Sequence, residues 1–241
     1  MFLCYHMRYY EQKRVLTEWQ SRRRMDLTFE EFYAEQLPAM KSAEEMLLRI
    51  ADQYVLAAED GRMIQPVIYC TSRIKSPDSA LQKLERCGWE KNRSAALTEL
   101  YDIIGLRIVC SFIDDVYQVS DWLKARPEFE VDEIKDYIAF PKPNGYRSLH
   151  LKVRIREGPS SGFCAEIQIR TIAIDFWATL EHQLKYKQEI EHETLIRKEL
   201  KRCADEIASV DLSMQTIRDL ICDGWSMDRK DGNPGDSLLR V

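Results

Sequence analysis

The sequence has few of the features that mark several protein classes. Its seven cysteines (Cys4, Cys70, Cys87, Cys110, Cys164, Cys203 and Cys222) are odd in number, widely scattered and form no Cys-x-x-Cys pair. That pattern excludes a zinc ribbon and fits thiols kept reduced. The opening MFLCYHMRYY is too short an apolar run for a signal peptide or a membrane span, so a soluble, cytoplasmic chain is expected. Positive charge is not in excess: 35 Lys+Arg face 40 Asp+Glu, a net charge of −5. This rules out a globally basic nucleic-acid coat, and no stable nucleic-acid partner is expected. Any phosphate chemistry must concentrate its cations in one place. The patterns Gly-x-x-x-x-Gly-Lys-Ser/Thr, Gly-x-Gly-x-x-Gly and His-Glu-x-x-His are all missing, which excludes a P-loop nucleotidase, the dinucleotide-binding fingerprint and that zinc motif.

What is present is an ordinary globular composition. The chain has 241 residues, 45% hydrophobic and 31% charged, enough to bury a core without a metal or disulfide staple. The pattern from Thr28 to about 59 is helical: Thr28 with Glu31 makes a capping box, and Pro38 is expected to kink or split the helix. Val67–Cys70 reads as a strand running into Arg73-Ile74-Lys75. A well-marked helix follows, with Ser76 as N-cap, Pro77 at its first position and Gly88 past its end. Residues 104–112 alternate as a strand, 114–124 form a helix, and 129–138 form a further strand. The loop Pro141-Lys142-Pro143-Asn144-Gly145 leads into a hairpin of 147–156 and 163–171, and a helix over 172–187 completes the core. The expected fold class is α/β (α+β): a mixed five-stranded sheet covered by helices. Its expected units are an N-terminal helical arm (1–65), a catalytic domain (66–188), a C-terminal helix (189–222) and a loose tail (223–241). In that last helix, Ile196, Leu200, Cys203, Ile207, Val210, Met214, Ile217 and Ile221 make a sustained heptad seam. It is expected to pack on its own core or, preferred here, on a second subunit.

Strand alternation sorts the chemistry. In 147–156 the apolar parity is Leu149, Leu151, Val153 and Ile155, and the opposite parity is Ser148, His150, Lys152 and Arg154. In 163–170 the polar parity is Cys164, Glu166, Gln168 and Arg170; in 104–112 it includes Arg107. A solvated sheet face explains each strand singly, but so many ionisable groups in the middle of one sheet point to a wet, charged cleft. Beside it, Arg73 and Lys75 precede the helix N-terminus opened by Ser76, with Ser79 and Lys83 one turn apart on one face, a set that suits a polyphosphate. Asp102 is a candidate magnesium ligand, because Mg²⁺ takes only one or two protein carboxylates beside phosphate oxygens and water. Glu166 is a candidate proton acceptor. Tyr146 follows the loop and is placed to stack on a base, and Arg73 and Arg107 offer planes for another. Lys142, Arg147, His150 and Arg170 add cations around the same cleft.

Four segments in order then resemble the RelA/SpoT-type alarmone synthetase domain. They are Arg73-Ile-Lys-Ser-x-x-Ser79-x-x-x-Lys83; Asp102-Ile-Ile-Gly-Leu-Arg107; Lys135-Asp-Tyr-Ile-x-x-Pro-Lys-Pro-Asn-Gly-Tyr-Arg-Ser-Leu-His150; and Glu166-Ile-Gln-Ile-Arg-Thr171. The resemblance spans about residues 66 to 187, with neither a preceding hydrolase domain nor a long C-terminal region, so the chain is similar to a small, stand-alone bacterial synthetase. It implies transfer of the β,γ-pyrophosphate of ATP to the 3′-hydroxyl of GDP or GTP. It further implies ATP-binding by Arg73, Lys75, Ser79, Lys83 and Arg107. GDP/GTP-binding falls to Lys142, Asn144, Tyr146, Arg147, His150, Gln168 and Arg170, Asp102 and Glu166 are implied as catalytic and metal-binding (Mg²⁺), and a homotetramer forms through terminal helices. Some relatives resemble toxins acting on adenine nucleotides or the tRNA 3′ end; the intact loop with Tyr146 and the acidic balance favour the guanine nucleotide. The presence of both Asp102 and Glu166 speaks against an inactive sensing module.

Overall fold

The computed structural model describes residues 27–58, 64–185 and 193–230. A short helix α1 (Phe29–Tyr33) opens on Thr28, whose hydroxyl accepts from the Glu31 amide while the Glu31 carboxylate accepts from the Thr28 amide, the expected capping box. The helical run is split, but not at Pro38. The chain turns at Ala34 (φ 47) through one tight turn, and Pro38 falls in the first turn of α2 (Leu37–Ala58). There its missing N–H costs nothing. The Asp60-Gly61 stop lies outside the described residues.

The remaining elements are β1 (Val67–Ile74), α3 (Pro77–Arg86), α4 (Arg93–Glu99), β2 (Ile104–Cys110), α5 (Ile113–Lys124), β3 (Phe129–Asp136), β4 (Leu149–Ile155), β5 (Cys164–Thr171), α6 (Ile172–Lys185) and α7 (Glu193–Lys230). The strands form one mixed sheet ordered β1-β2-β5-β4-β3. Only the β2–β5 pairing is parallel; the other three are antiparallel. Alternation drives one face of it into the core: Ile104, Leu106 and Ile108 of β2, Leu149, Leu151 and Val153 of β4, and Ala165, Ile167 and Ile169 of β5 are all buried. Val116, Val119 and Leu123 of α5 and Met40, Ala43, Leu47 and Ile50 of α2 join them in one cluster at three- and four-residue spacings. Each fully buried aliphatic side chain contributes about 1.5–3 kcal/mol. Helix α2, in the segment read from the sequence as an arm, thus belongs to the same core as the sheet.

Helix α7 divides the heptad seam in two. Leu200, Cys203 and Ile207 pack with Ala204 against Trp177 and Ala178 of α6, and the Trp177 indole N–H donates to the Leu200 carbonyl at 2.9 Å. Val210, Met214, Ile217 and Ile221 are 59, 51, 48 and 54% exposed. The helix runs on to Lys230 rather than loosening at Asp223; residues 231–241 lie outside the described set. Helix α4, capped by Asn92, had not been expected from the sequence.

Candidate active site

The register of four strands assembles the face. Arg73 on β1 is opposite Gly105 on β2, which is opposite Glu166 on β5; Arg107 is opposite Gln168, and Gln168 is opposite His150 on β4. The Arg73 side chain runs over Gly105, where a Cβ would sit 3.6 Å from Arg73 Cγ, an ordinary van der Waals contact.

At one end, β1 runs into α3. Ser76 accepts from the Ser79 amide as N-cap, and its hydroxyl donates to Ser79 Oγ at 2.8 Å. Lys75 and Lys83 converge on Asp102, with Nζ–O distances of 2.8 and 2.9 Å. Burial alone would raise the Asp102 pKa, but Lys75 and Lys83 outweigh it and hold the carboxyl below its ordinary value. Burial also lowers the Lys75 pKa, against the pull of Asp102. Two ammonium groups thus share one carboxylate.

At the other end a hydrogen-bonded chain runs from Arg170 to Glu166. The buried Arg170 guanidinium donates to Tyr146 Oη (2.7 Å), Gln168 Oε1 (2.9 Å) and Ser148 Oγ (3.3 Å). The Gln168 amide donates onward to Glu166 Oε1 at 2.7 Å. Because arginine has no acceptor, Tyr146 accepts from it, and its hydroxyl also hydrogen-bonds with His150 Nε2, 2.9 Å away. The other ring nitrogen, Nδ1, lies 3.4 Å from Glu166 Oε1. Burial pushes the Glu166 pKa up, yet His150 and Gln168 together bring it down to about 2. Lys142 Nζ rests over the rings of Tyr137 (4.4 Å) and Tyr146 (4.9 Å), so the loop carries both an aromatic platform and the cation beside it.

Asp175, in the first turn of α6, joins the two ends. It accepts from Tyr69 Oη at 2.6 Å and from Arg170 Nη1 at 3.0 Å, and its Oδ1 lies 3.3 Å from Arg107 Nη1. Nothing in the sequence singled it out, because its role depends on where α6 lands relative to β1 and β2. Tyr137, edge-on to His150 at 5.3 Å, was missed for the same reason. The Arg107 pKa is lowered by burial first and then by Arg170, with Asp175 opposing.

Lys142, Tyr146, His150, Gln168 and Arg170 therefore form one connected group with Glu166, whereas two candidates on the acceptor side do not. The Asn144 amide donates to Glu181 of α6 at 3.0 Å, and Arg147 donates to the Gly145 and Ala204 carbonyls and to Asp205 of α7. Both are anchors of the loop rather than members of the cleft. Arg147 in fact shares the parity of Leu149 and Leu151, a signal already present in the alternation.

Among the described residues, two buried side-chain polar atoms lack a hydrogen-bond partner: Asp102 Oδ1 and Arg107 Nε. The Lys83 ammonium lies 2.9 Å from the former as an ion pair and answers its charge. Buried polar atoms left unmade are costly and rare, and both belong to this face. No cluster of three or more His, Cys, Asp or Glu side chains suited to a metal occurs among the described residues. Two carboxylates nevertheless suit Mg²⁺, whose remaining ligands come from phosphate and water. Zinc, with its nitrogen and sulfur donors, does not fit. No described helix is long and apolar enough to cross a membrane.

Residues 72–191 match the model of a region found in RelA and SpoT proteins. The chain is 42% identical over 156 residues to the GTP pyrophosphokinase YwaC of Bacillus subtilis, covering 64% of this chain and 74% of that protein. It is 36% identical over 189 residues to the GTP pyrophosphokinase YjbM of the same organism, covering 76% and 86%. Among solved structures it superposes with a TM-score of 0.71 on the small alarmone synthetase 1 of Bacillus subtilis bound to its product pppGpp. That pair shares 34% identity and covers 79% of this chain and 98% of that one.

Proposed function

We propose that this chain, which belongs to the RelA/SpoT family, is a GTP pyrophosphokinase that moves the β,γ-pyrophosphate of ATP to the 3′-hydroxyl of GDP or GTP, making the alarmones ppGpp and pppGpp. The observation that carries the reading is the convergence, on one sheet face, of Lys75 and Lys83 on Asp102 at one end and of His150 and Gln168 on Glu166 at the other. Arg107, whose buried Nε lacks a hydrogen-bond partner, is on the side assigned to adenine.

In this reading Arg73 and Arg107 hold the adenine by stacking, while Lys75, Lys83 and Ser79 hold the phosphates. A polyphosphate draws the two lysines from Asp102 and frees its carboxylate. Bound by Asp102 and Glu166, Mg²⁺ supplies neutralisation of phosphate charge. Tyr146 and Lys142 receive the guanine nucleotide. The bond formed joins the 3′-oxygen to the β-phosphorus; the bond broken is that between this phosphorus and the α,β-bridging oxygen, which leaves with AMP, and the hydroxyl proton passes to solvent. A carboxylate with a pKa near 2 is a weak proton acceptor at neutral pH. Glu166 therefore acts chiefly by accepting a hydrogen bond that aims the 3′-hydroxyl, in keeping with a reaction that depends mostly on positioning and charge.

Incubation with γ-labelled ATP, Mg²⁺ and GDP, GTP, GMP or tRNA tests the assignment: label should appear on GDP and GTP. Label on tRNA alone, or on no acceptor, would overturn it. Arg107→Ala should raise the KM for ATP by about 5–30-fold, the loss of a stacked, charged contact of about 1–2 kcal/mol, with a much smaller change for GDP. An equal rise for both nucleotides would remove Arg107 from the adenine side.

The family's terminal-helix homotetramer is also proposed here. Ile172, Phe176, Leu180 and Leu184 of α6 recur every four residues, each at least 42% exposed, and the outer half of the α7 seam is exposed as well. Light scattering at the mass of a monomer would contradict it.

A further inference from the structure

The loop from Lys142 to Tyr146 is a closed turn. The Gly145 amide donates to the Lys142 carbonyl at 2.8 Å, and the Lys142 amide donates to the Tyr146 carbonyl at 3.1 Å. Such a turn moves as one piece, carrying the Lys142 ammonium and the Tyr146 ring with it.

The piece is seated on α7. Gly145 has φ +88, a conformation suited to glycine, and a Cβ built on it would lie 2.7 Å from Ala204 Cβ and 3.2 Å from Lys201 Cα. Its backbone therefore rests directly on the methyl of Ala204, which is itself buried. Arg147, one residue beyond Tyr146, fastens the contact. Its guanidinium donates to Gly145 O (3.0 Å), Ala204 O (3.4 Å) and Asp205 Oδ1 (3.0 Å), bridging loop and helix. Asp205 is held in turn by Lys201 at 2.6 Å. None of Lys201, Ala204 and Asp205 belongs to the cleft.

We propose that the Gly145–Ala204 contact and the Arg147–Asp205 bridge form a positioning joint through which α7 sets the acceptor loop. Ala204 and Asp205 are then specificity-side positioning residues for the guanine nucleotide, acting through Tyr146 and Lys142. The proposal rests on the assignment of this loop to the acceptor. The donor nucleotide is held from β1, α3 and β2, which the joint does not touch, so the two substrates should respond differently to it.

The test uses the full chain with Ala204→Val and, separately, Asp205→Ala. Ala204→Val adds two methyl groups at the seat of Gly145 and is expected to raise the GDP KM about tenfold or more, since small misplacements near a reacting group are expensive. Asp205→Ala removes a half-exposed ion pair and is expected to raise it about two- to fivefold. In both, the KM for ATP and kcat at saturation should be unchanged. Calorimetric titration of GDP onto each variant should show the same loss without any turnover. A GDP affinity equal to wild type in both, or equal losses for ATP and GDP, overturns the joint. Should Ala204→Val not fold, Asp205→Ala decides alone. Wild type that binds GDP but makes no guanosine product refutes the proposed reaction, while the titration still reads the joint.

Discussion

Glu166→Gln is expected to lower turnover by about 10²–10⁴-fold, the usual worth of a residue that positions or deprotonates a reacting hydroxyl. The change keeps size and shape and leaves the Gln168 contact satisfiable, so the fold should persist. ATP affinity should persist as well, because Arg73, Lys75, Lys83 and Arg107 carry it. Single-turnover assays with equilibrium ATP binding separate the two quantities. Turnover near that of wild type would remove Glu166 from its role. The same pair of proteins has a pH signature. The folded-state pKa of Glu166 lies near 2, below its ordinary 4.5. Its charge therefore stabilises the fold fully above about 4.5, and that contribution is lost as pH falls towards 2. The stability gap between wild type and Glu166→Gln should be level from neutral pH down to about 5 and narrow below it.

Asp175→Ala should be the most destabilising single change in the site. Asp175 is 6% exposed and is the carboxylate that answers both Arg107 and Arg170. Its loss leaves Arg170, whose side chain is 5% exposed, without an opposite charge beside it. Breaking a buried pair by deleting one partner costs about 3–5 kcal/mol, or about 6–20 °C in Tm for a chain of this size. Activity should fall with both substrates, since Arg107 serves the donor and Arg170 orients Tyr146 and Gln168 for the acceptor. Thermal unfolding of Asp175→Ala checks the first part, and a Tm within about 2 °C of wild type, under 1 kcal/mol on that scale, would contradict it.

Much of this was readable in advance, for a physical reason. Strands alternate with a period of two, so Ile104, Leu106 and Ile108 declared the buried face of β2, and Arg107 declared the open one. Likewise Ser76, Pro77 and Gly88 bounded α3 because caps are local chemistry. The missed features are tertiary. Asp175 has no distinguishing neighbour in sequence; it matters because α6 brings it against β1 and β2. Asn144 and Arg147 belong to the right motif, yet they are spent on α6 and α7, whose positions the motif does not encode. The heptad of α7 was visible as a period, but the period alone could not divide it between Trp177 and an open outer half. Helix α4 was overlooked because seven residues give too short a stripe for periodicity.

The central claim is that two nucleotides exchange a pyrophosphate on the face that bears Glu166. It is tested most directly by following ATP labelled separately at the α- and γ-phosphates, with GDP and Mg²⁺. The account predicts that γ-label moves to the guanosine product while α-label is recovered as AMP, one for one. ADP as the adenine product, with γ-label released as phosphate or attached singly to guanosine, would contradict it.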